Sequence, residues 1–514
     1  MFDNIIIGGG HNGLTCAAYL AKAGQSTLVL EARDSLGGLA SKNEFHEGFY
    51  ASPAQSITHF HDGIIRELNL KTFGFEYPKS FLSTTALDLN QSHVILDKNR
   101  LLGVSDKDDS NYKKYHHMMM KFASALKPFW FKSMPSLSSR ALSDMSTFAQ
   151  LGIKLKMLGK KDMGEFLRVA SLPVRDLMDE YFENDLLKTL LSWDGLIGSK
   201  MAPRSPNATI LNLLYRMSSN SEGFHQLPTG GLSRLIQSLE LAAIHYGVEV
   251  KRNSFVENII VEQDEFGNRV GGVKLRDGTT IQSKRVISSA DPKTTFLELL
   301  GAEFLEIGFT NRINRLRNEG YVGKLNLALR ECPKFLGVND LRTRMIIAAD
   351  LDAIEFAFDE AKYGSWSKNL VMELLIPSLF SNDLCPKDNH VISINFMYVP
   401  LNSKEGWSAR ERNRLYLTLV KILEHYSPTI TENIIGYELL TPVDIEERYN
   451  LRGGHWHHIE FSMDQMLMMR PTYESAQYAT PISNLFLCGS GSHPAGGLSG
   501  GPGHNAAKLI LKES

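Results

Sequence analysis

Residues 4–31 read NIIIGGGHNGLTCAAYLAKAGQSTLVLE, and the order of apolar runs and glycines in this stretch decides the fold. Asn4 to Ile7 is a short apolar run of strand type. Leu14 to Ala23 has helical character, with Ala17, Ala18 and Ala21 small enough for close packing on a sheet, and Thr27 to Glu31 is a second apolar strand. The three together predict a βαβ unit. Gly8, Gly10 and Gly13 form G-x-G-x-x-G between the first strand and the helix. Glycines in that position allow a tight turn and let a pyrophosphate approach the helix N-terminus, whose free N–H groups and dipole favour an anion. Glu31, at the end of the second strand, is placed to accept a hydrogen bond from a ribose hydroxyl. Arg33 raises the alternative of a 2′-phosphate, which Glu31 would repel. A Gly-rich turn without a ligand is the competing reading, and the helix, second strand and acid that follow weigh against it.

Beyond Glu31 the chain runs ARDSLGGLAS, so Ala32 and Arg33 follow the acid and Gly37-Gly38 form a doublet. Such a doublet lets the backbone pass close to a second part of a dinucleotide, which an FAD enzyme needs and a nicotinamide enzyme usually does not. At the other end, Leu485 to Cys488 reads as a strand, seven glycines lie between Gly489 and Gly503, and Asn505 to Leu511 continues as a helix. Backbone N–H groups near that helix start can face an anion such as reduced flavin.

The 514 residues carry 55 Lys+Arg against 57 Asp+Glu, a formal net charge of −2, with 43% hydrophobic and 22% charged residues. Near-neutrality supplies no general attraction to nucleic acid, and the length suggests two or three globular domains. Cys16, Cys332, Cys385 and Cys488 show neither C-x-x-C nor zinc spacing, which predicts a reducing, cytoplasmic setting and no dithiol catalysis. The start, MFDNIIIGGG, has no basic n-region or cleavage site, and no apolar run is long enough for a membrane span.

Between these ends, about 111–216 is dominated by helical periodicity and is assigned to a helical cap. GGLSRLIQSLELAAIHYG reads as an amphipathic helix, followed by VEVKR, VENIIVEQ, VGGVKLRDG and TIQSKRVISSA as short strands of a β-meander. The predicted class is α/β. A discontinuous Rossmann-type FAD-binding domain (βαβ with β-meander, glutathione-reductase-like) takes residues 1–75, 225–298 and 480–514. An α+β substrate domain with its helical cap takes 76–224 and 299–479.

The histidine run His455, Trp456, His457, His458 is read as a strand, with 455 and 457 facing one way and 458 the other, so it offers too few converging ligands for a metal. A histidine beside flavin could orient substrate or move a proton, and hydrogen-bonded structural histidines at a domain interface are the alternative. KPFWFKSM, Lys127 to Met134, interleaves Lys with three aromatic residues. That composition suits a membrane interface or a tunnel mouth for an apolar substrate, or else an internal aromatic cluster.

The blocks GGGHNGLTCAAYLAKAG, LEARDSLGG, QLPTGGLSRLIQSL, VISSADPKTTF, GGHWHHIEFSMDQMLMMRP and LFLCGSGSHPAGGLSGGPGHNAA resemble, in the same order, those of the phytoene-desaturase-like FAD-dependent oxidoreductases. Within that family they most resemble the branch of pyridine nucleotide-disulfide oxidoreductase domain-containing protein 2. The cysteine spacing does not support the disulfide centre in that name. The resemblance implies that Gly8, Gly10, Gly13, Glu31, Gly37 and Gly38 hold the ADP and ribose half of FAD and that the Val256 backbone meets adenine. It places Gly489, Ser490, Gly497, Leu498 and Ser499 near the flavin and makes His455 and His458 the catalytic candidates. The implied reaction is hydride transfer from a largely apolar organic substrate to flavin N5. Electrons then pass to oxygen, a quinone or another carrier, since no second glycine fingerprint follows a strand. Amine oxidation on the same fold, and a flavin-binding protein with a structural or regulatory role, remain as alternatives. Homo-oligomerisation is left open, as is peripheral membrane contact should KPFWFKSM be exposed.

Overall fold

The computed structural model describes residues 1–58, 60–78, 80–135, 142–206, 208–219, 221–265, 267–494 and 496–513. Its first sheet has seven strands. Phe2–Ile7 lies between Thr27–Leu30 and Thr280–Ser288, parallel to both, and the parallel array extends outward to Glu249–Lys251 on one side and Leu485–Leu487 on the other. Val256–Asp264, Gly267–Leu275 and Thr280–Ser288 run antiparallel as the expected meander.

Parallel strands covered on both faces carry continuous apolar runs, and the side chains alternate between the two layers. Ile6, Val29 and Ile287 join the core beneath the helices His11–Lys22, Ser233–His245 and Gly501–Glu513. Ile5, Leu28 and Val286 join Val256, Ile259 and Val273 on the meander side. Alanines allow the helices to approach closely: Ala17 and Ala18, read from the sequence, have 0% exposure, as do Ala242, Ala243, Ala506 and Ala507 of the other two helices. Cys16, on the first helix, and Cys488, just past the last strand, meet in this core. A hydrogen bond that the Cys16 thiol donates to Cys488, together with burial, pushes the Cys16 pKa well above its ordinary value. Linear spacing gave no sign of this pairing.

The second sheet has eight strands in the order Ile434–Leu440, Val322–Leu329, His390–Met397, Met372–Leu375, Thr343–Ile347, Ser83–Ala86, Val94–Asp97 and Arg100–Leu102. Neighbours are antiparallel except Thr343–Ile347 with Ser83–Ala86. The helical span forms Asp106–Trp130, Leu142–Met157, Lys160–Ser171, Val174–Tyr181, Asp185–Leu196 and Thr209–Met217. Tyr112, Phe122, Val169, Trp193 and Leu214 from this layer share a core with Ile346, Met397 and Tyr398 of the sheet. Leu415 and Leu419 of Ala409–Glu424 pack with Leu325, Leu327 and Ile394 in a separate core.

One sequence expectation is corrected. Residues 455–458 form a turn rather than a strand: the His458 N–H donates to the His455 carbonyl at 2.9 Å, and His458 has φ of 67°. The alternation used to assign directions in this run therefore does not apply. In KPFWFKSM, Phe129 and Trp130 are buried. The Trp130 ring lies 4.5 Å edge-on from Tyr215 and 5.8 Å, nearly parallel, from His493. Phe129 and Trp130 thus face the interior, as the internal-cluster alternative has it, while Phe131 is half-buried. Among the described residues no helix is long and apolar enough to cross a membrane.

His493 shows what this packing demands of pH. It is fully buried, its Nε2–H donates to the Phe129 carbonyl at 2.9 Å, and burial lowers its pKa from 6.5 to about 4. The unfolded chain takes up this proton near pH 6.5 while the folded protein resists it down to about 4. His493 therefore contributes stability above pH 6.5 that is lost as the pH falls through this window, on the order of 3 kcal/mol. Thermal unfolding midpoints measured across the window should fall in the wild type and fall less steeply in His493→Gln.

Candidate active site

The turn after the first strand is shaped by close approach. A Cβ on Gly13 would stand 2.1 Å from the Gly8 carbonyl oxygen, so glycine alone lets the helix start against the strand end. A Cβ on Gly10 would meet nothing within 4 Å and would project into a cavity. The helix beginning at His11 has no side-chain cap, which leaves its first N–H groups directed at the same space. Gly37, with φ of 111°, donates its N–H to the Gly9 carbonyl at 2.9 Å and pairs with Gly10, tying the doublet to the first loop.

Glu31 holds this corner. Its Oε2 accepts from the Gly9 N–H at 2.8 Å and its Oε1 from the Arg33 N–H at 2.9 Å. The Arg33 guanidinium donates to Ser41 Oγ at 3.0 Å and Asn43 Oδ1 at 2.5 Å and lies over the Tyr449 ring at 4.6 Å. Those partners account for Arg33 without a 2′-phosphate.

The cavity, about 250 Å³, is lined by Gly8, Gly10, Glu31, Ala32, Arg33, Gly37, Gly38 and Val256 from the first sheet. Ser490, Gly497, Leu498, Trp456, His457 and His458 line it from the late loops. Gly13, Gly489 and Ser499 are packed behind the lining. A Cβ on Gly489 would stand 2.5 Å from the Ser289 carbonyl oxygen, and Ser499, with 0% exposure, accepts from the Gly501 N–H at 3.1 Å through Oγ. These three pack behind the wall that the lining residues form.

A second cavity of about 120 Å³ adjoins the first and shares Ala54, Trp456, His457, Gly497 and Leu498 with it. His457, which the resemblance did not single out, lines both. His455 lines neither: its Nδ1 accepts from the His457 N–H at 3.1 Å and its Nε2 lies 3.5 Å from Glu460 Oε2. It positions the turn, which corrects its place among groups that meet a ligand. His458 does line the first cavity. Burial, with Arg470 and the His11 and His455 rings nearby, pulls its pKa down to about 3, so the ring is neutral at neutral pH.

One side chain fixes both loops. The Arg470 guanidinium is fully buried and donates to the carbonyls of His457, Ile459, Glu460, Gln465 and Ser490 at 2.7–3.3 Å.

Residues 13–322, more than half of the chain, match the family described as flavin-containing amine oxidoreductases. The chain belongs to that family. Among curated relatives, pyridine nucleotide-disulfide oxidoreductase domain-containing protein 2 of Rattus norvegicus is 29% identical, covering 100% of this chain and 94% of its own. The lycopene-forming phytoene desaturase of Pseudescherichia vulneris is 23% identical over 97% and 96% of the two chains. Among solved structures, an engineered putrescine oxidase superposes with a TM-score of 0.64 at 15% identity, covering 100% and 99%. The chain is thus an FAD-dependent oxidoreductase with the α/β flavoprotein fold.

The first cavity fits FAD on its own features. Beside the space at Gly10 and the uncapped helix, His11 Nε2, Asn12 Oδ1 and His458 Nδ1 are buried polar atoms without a hydrogen-bond partner among the described residues. All three residues line the cavity, and buried polar groups need partners. His11 and Asn12 occupy the variable positions of the glycine fingerprint, which is the signal that could have singled them out. Nothing in the sequence marked Trp456.

Two outcomes separate lining from scaffold. Gly10→Val should retain its unfolding temperature yet purify without flavin colour, whereas Gly13→Val should lose the folded state. Arg470→Met leaves five buried carbonyls unpaired and should lower stability by about 3 kcal/mol or more, as measured by denaturant unfolding.

Proposed function

We propose that this FAD-dependent oxidoreductase removes hydride from a carbon of a largely apolar organic substrate, in the manner of a dehydrogenase or desaturase, with flavin N5 as acceptor. The observation that carries this reading is the wall common to the two cavities, formed by Trp456, His457, Gly497 and Leu498. A substrate in the second cavity would face the contents of the first across it. When bound, FAD supplies the two-electron oxidant. The first sheet then serves the cofactor and the second sheet with its cap serves the substrate.

In this reading Gly8, Gly10 and the start of the first helix receive the pyrophosphate, and Glu31 accepts from the ribose while its amide partners hold it in place. Gly37, Gly38 and Val256 border the ADP half. Ser490, Gly497 and Leu498 border the ring. Trp456 and His457 orient the substrate and keep water from the reacting carbon. His458, held neutral, serves as a hydrogen-bonding group and not as an imidazolium acid. Oxygen or a quinone would reoxidise the enzyme.

One observation favours a second reading, amine oxidation. Tyr215 and Phe461, with ring centroids 5.5 Å apart and planes at 30°, both line the second cavity beside Trp456. Anaerobic titration with isoprenoids and with amines, followed in the visible spectrum, decides between them by which class bleaches the flavin bands. His457→Ala should slow that bleaching about tenfold or more with flavin content unchanged. Unchanged kinetics would return His457 to a packing role.

A further inference from the structure

We propose that the second cavity binds a neutral hydroxyl group against Gln55, Asn212 and Arg344, so that the substrate is an alcohol carrying an apolar chain. This rests on the flavin reading above and specifies its substrate class.

Three polar atoms on this cavity's wall are buried without partners among the described residues: Gln55 Oε1, Asn212 Oδ1 and Arg344 Nε. The residues that carry them are 8%, 6% and 3% exposed. Their other polar atoms are committed. Gln55 Nε2 donates to the Ser393 carbonyl at 2.6 Å and Asn212 Nδ2 to the Gly195 carbonyl at 3.3 Å, which fixes each amide with its oxygen unmet. The two terminal nitrogens of Arg344 grip Asp194 at 2.7 and 3.1 Å, leaving Nε over. Two acceptors and one donor thus await a partner, and each unmet buried group costs about 1–3 kcal/mol. A hydroxyl accepts from Arg344 Nε and donates its one proton to either amide oxygen, meeting the donor and one of the two acceptors.

The surrounding charge argues against an ionic ligand. Arg344 and Arg216 oppose Asp194 and Glu373. The Asp194 carboxylate accepts from Arg344, Arg216 and His225, and Glu373 accepts from Trp193 Nε1 at 2.7 Å and Asn395 Nδ2 at 2.8 Å. Burial and Arg344 lower the His225 pKa, favouring its neutral form. Lys324, which burial lowers to about 7, donates to Asn395 Oδ1 at 2.9 Å and faces Glu373 and Glu438, themselves bonded to Asn395 and Asn326. No carboxylate of this cluster is left over for an ammonium, and both guanidinium groups are already paired against a carboxylate ligand.

The chain attached to the hydroxyl has a place as well. A third cavity, about 80 Å³, lies across the cluster and shares Asp194, Arg216, His225 and Arg344 with the second. Its lining includes Leu190, Leu191, Leu213, Met217 and Phe224.

The test titrates the FAD-loaded enzyme with farnesol, farnesene, farnesylamine and farnesoate, reading affinity from the shift of the flavin absorption band. Farnesol should bind about tenfold or more tightly than each of the other three. Asn212→Leu should bring farnesol affinity down to that of farnesene while farnesene binding and flavin colour persist. Should that variant not fold, Gln55→Met asks the same question. Farnesene or either ion binding as tightly as farnesol, no binding of any of the four, or a foldable variant with unchanged farnesol affinity would overturn the proposal. A protein that takes up no FAD fails the flavin reading instead, which the visible spectrum shows before any ligand is added. The alcohol preference is then read from tryptophan fluorescence in the same titrations, since Trp456 lines the cavity.

Discussion

The geometry of both cavities depends on a buried cation whose direct partners are main-chain carbonyls. Arg470 gathers the backbone of His457, Ile459, Glu460 and Gln465 and ties it to Ser490 in the loop that follows the last strand of the first sheet. Burying a guanidinium is unfavourable, and its pKa falls from 12.5 to about 9 as a result. The carbonyls it satisfies belong to irregular backbone that has no sheet or helix to bond with. Because four of the five residues shared by the two cavities come from the loops so joined, this one side chain holds much of the wall between them.

Much of the fold was legible in residues 1–40 and 480–513. Strand, glycine turn and helix each leave a local pattern, and Glu31 and the Gly37-Gly38 doublet sit at fixed offsets from them. The meander was readable for the same reason, through short apolar runs between turn residues. The candidate site was legible only where it coincides with those patterns. Gly10, Glu31 and Gly38 line the cavity, but Gly489 and Ser499 stand behind it, because a glycine-rich loop reveals where backbone can approach and not which residue faces the ligand.

The remainder was hidden for physical reasons. Assigning 455–458 to a strand imposed a two-residue alternation on a turn, while the resemblance that singled out His455 and His458 carried no sign that the turn directs His457 to both cavities. The charged cluster joins Asp194 and Arg216 of the helical layer to His225, Arg344 and Glu373, residues far apart in the chain that no periodicity relates. Such a cluster is specified by tertiary packing alone. KPFWFKSM has a composition equally suited to a membrane surface and to an interior, and only the neighbours Tyr215 and His493 settle which applies.

The first sheet places the two ends of the sequence on either side of Thr280–Ser288, and Ala17 and Ala18 share a core with Ala506 and Ala507. On a ribosome those partners emerge about 480 residues after the first strand and helix. At about 5–20 residues per second, the opening strand and helix wait from about twenty seconds to a minute and a half before their apolar faces can be covered. Completion of the first sheet and its helical layer is thus deferred until Leu485–Leu487 and Gly501–Glu513 have been made, and during that interval the nascent chain is exposed to aggregation.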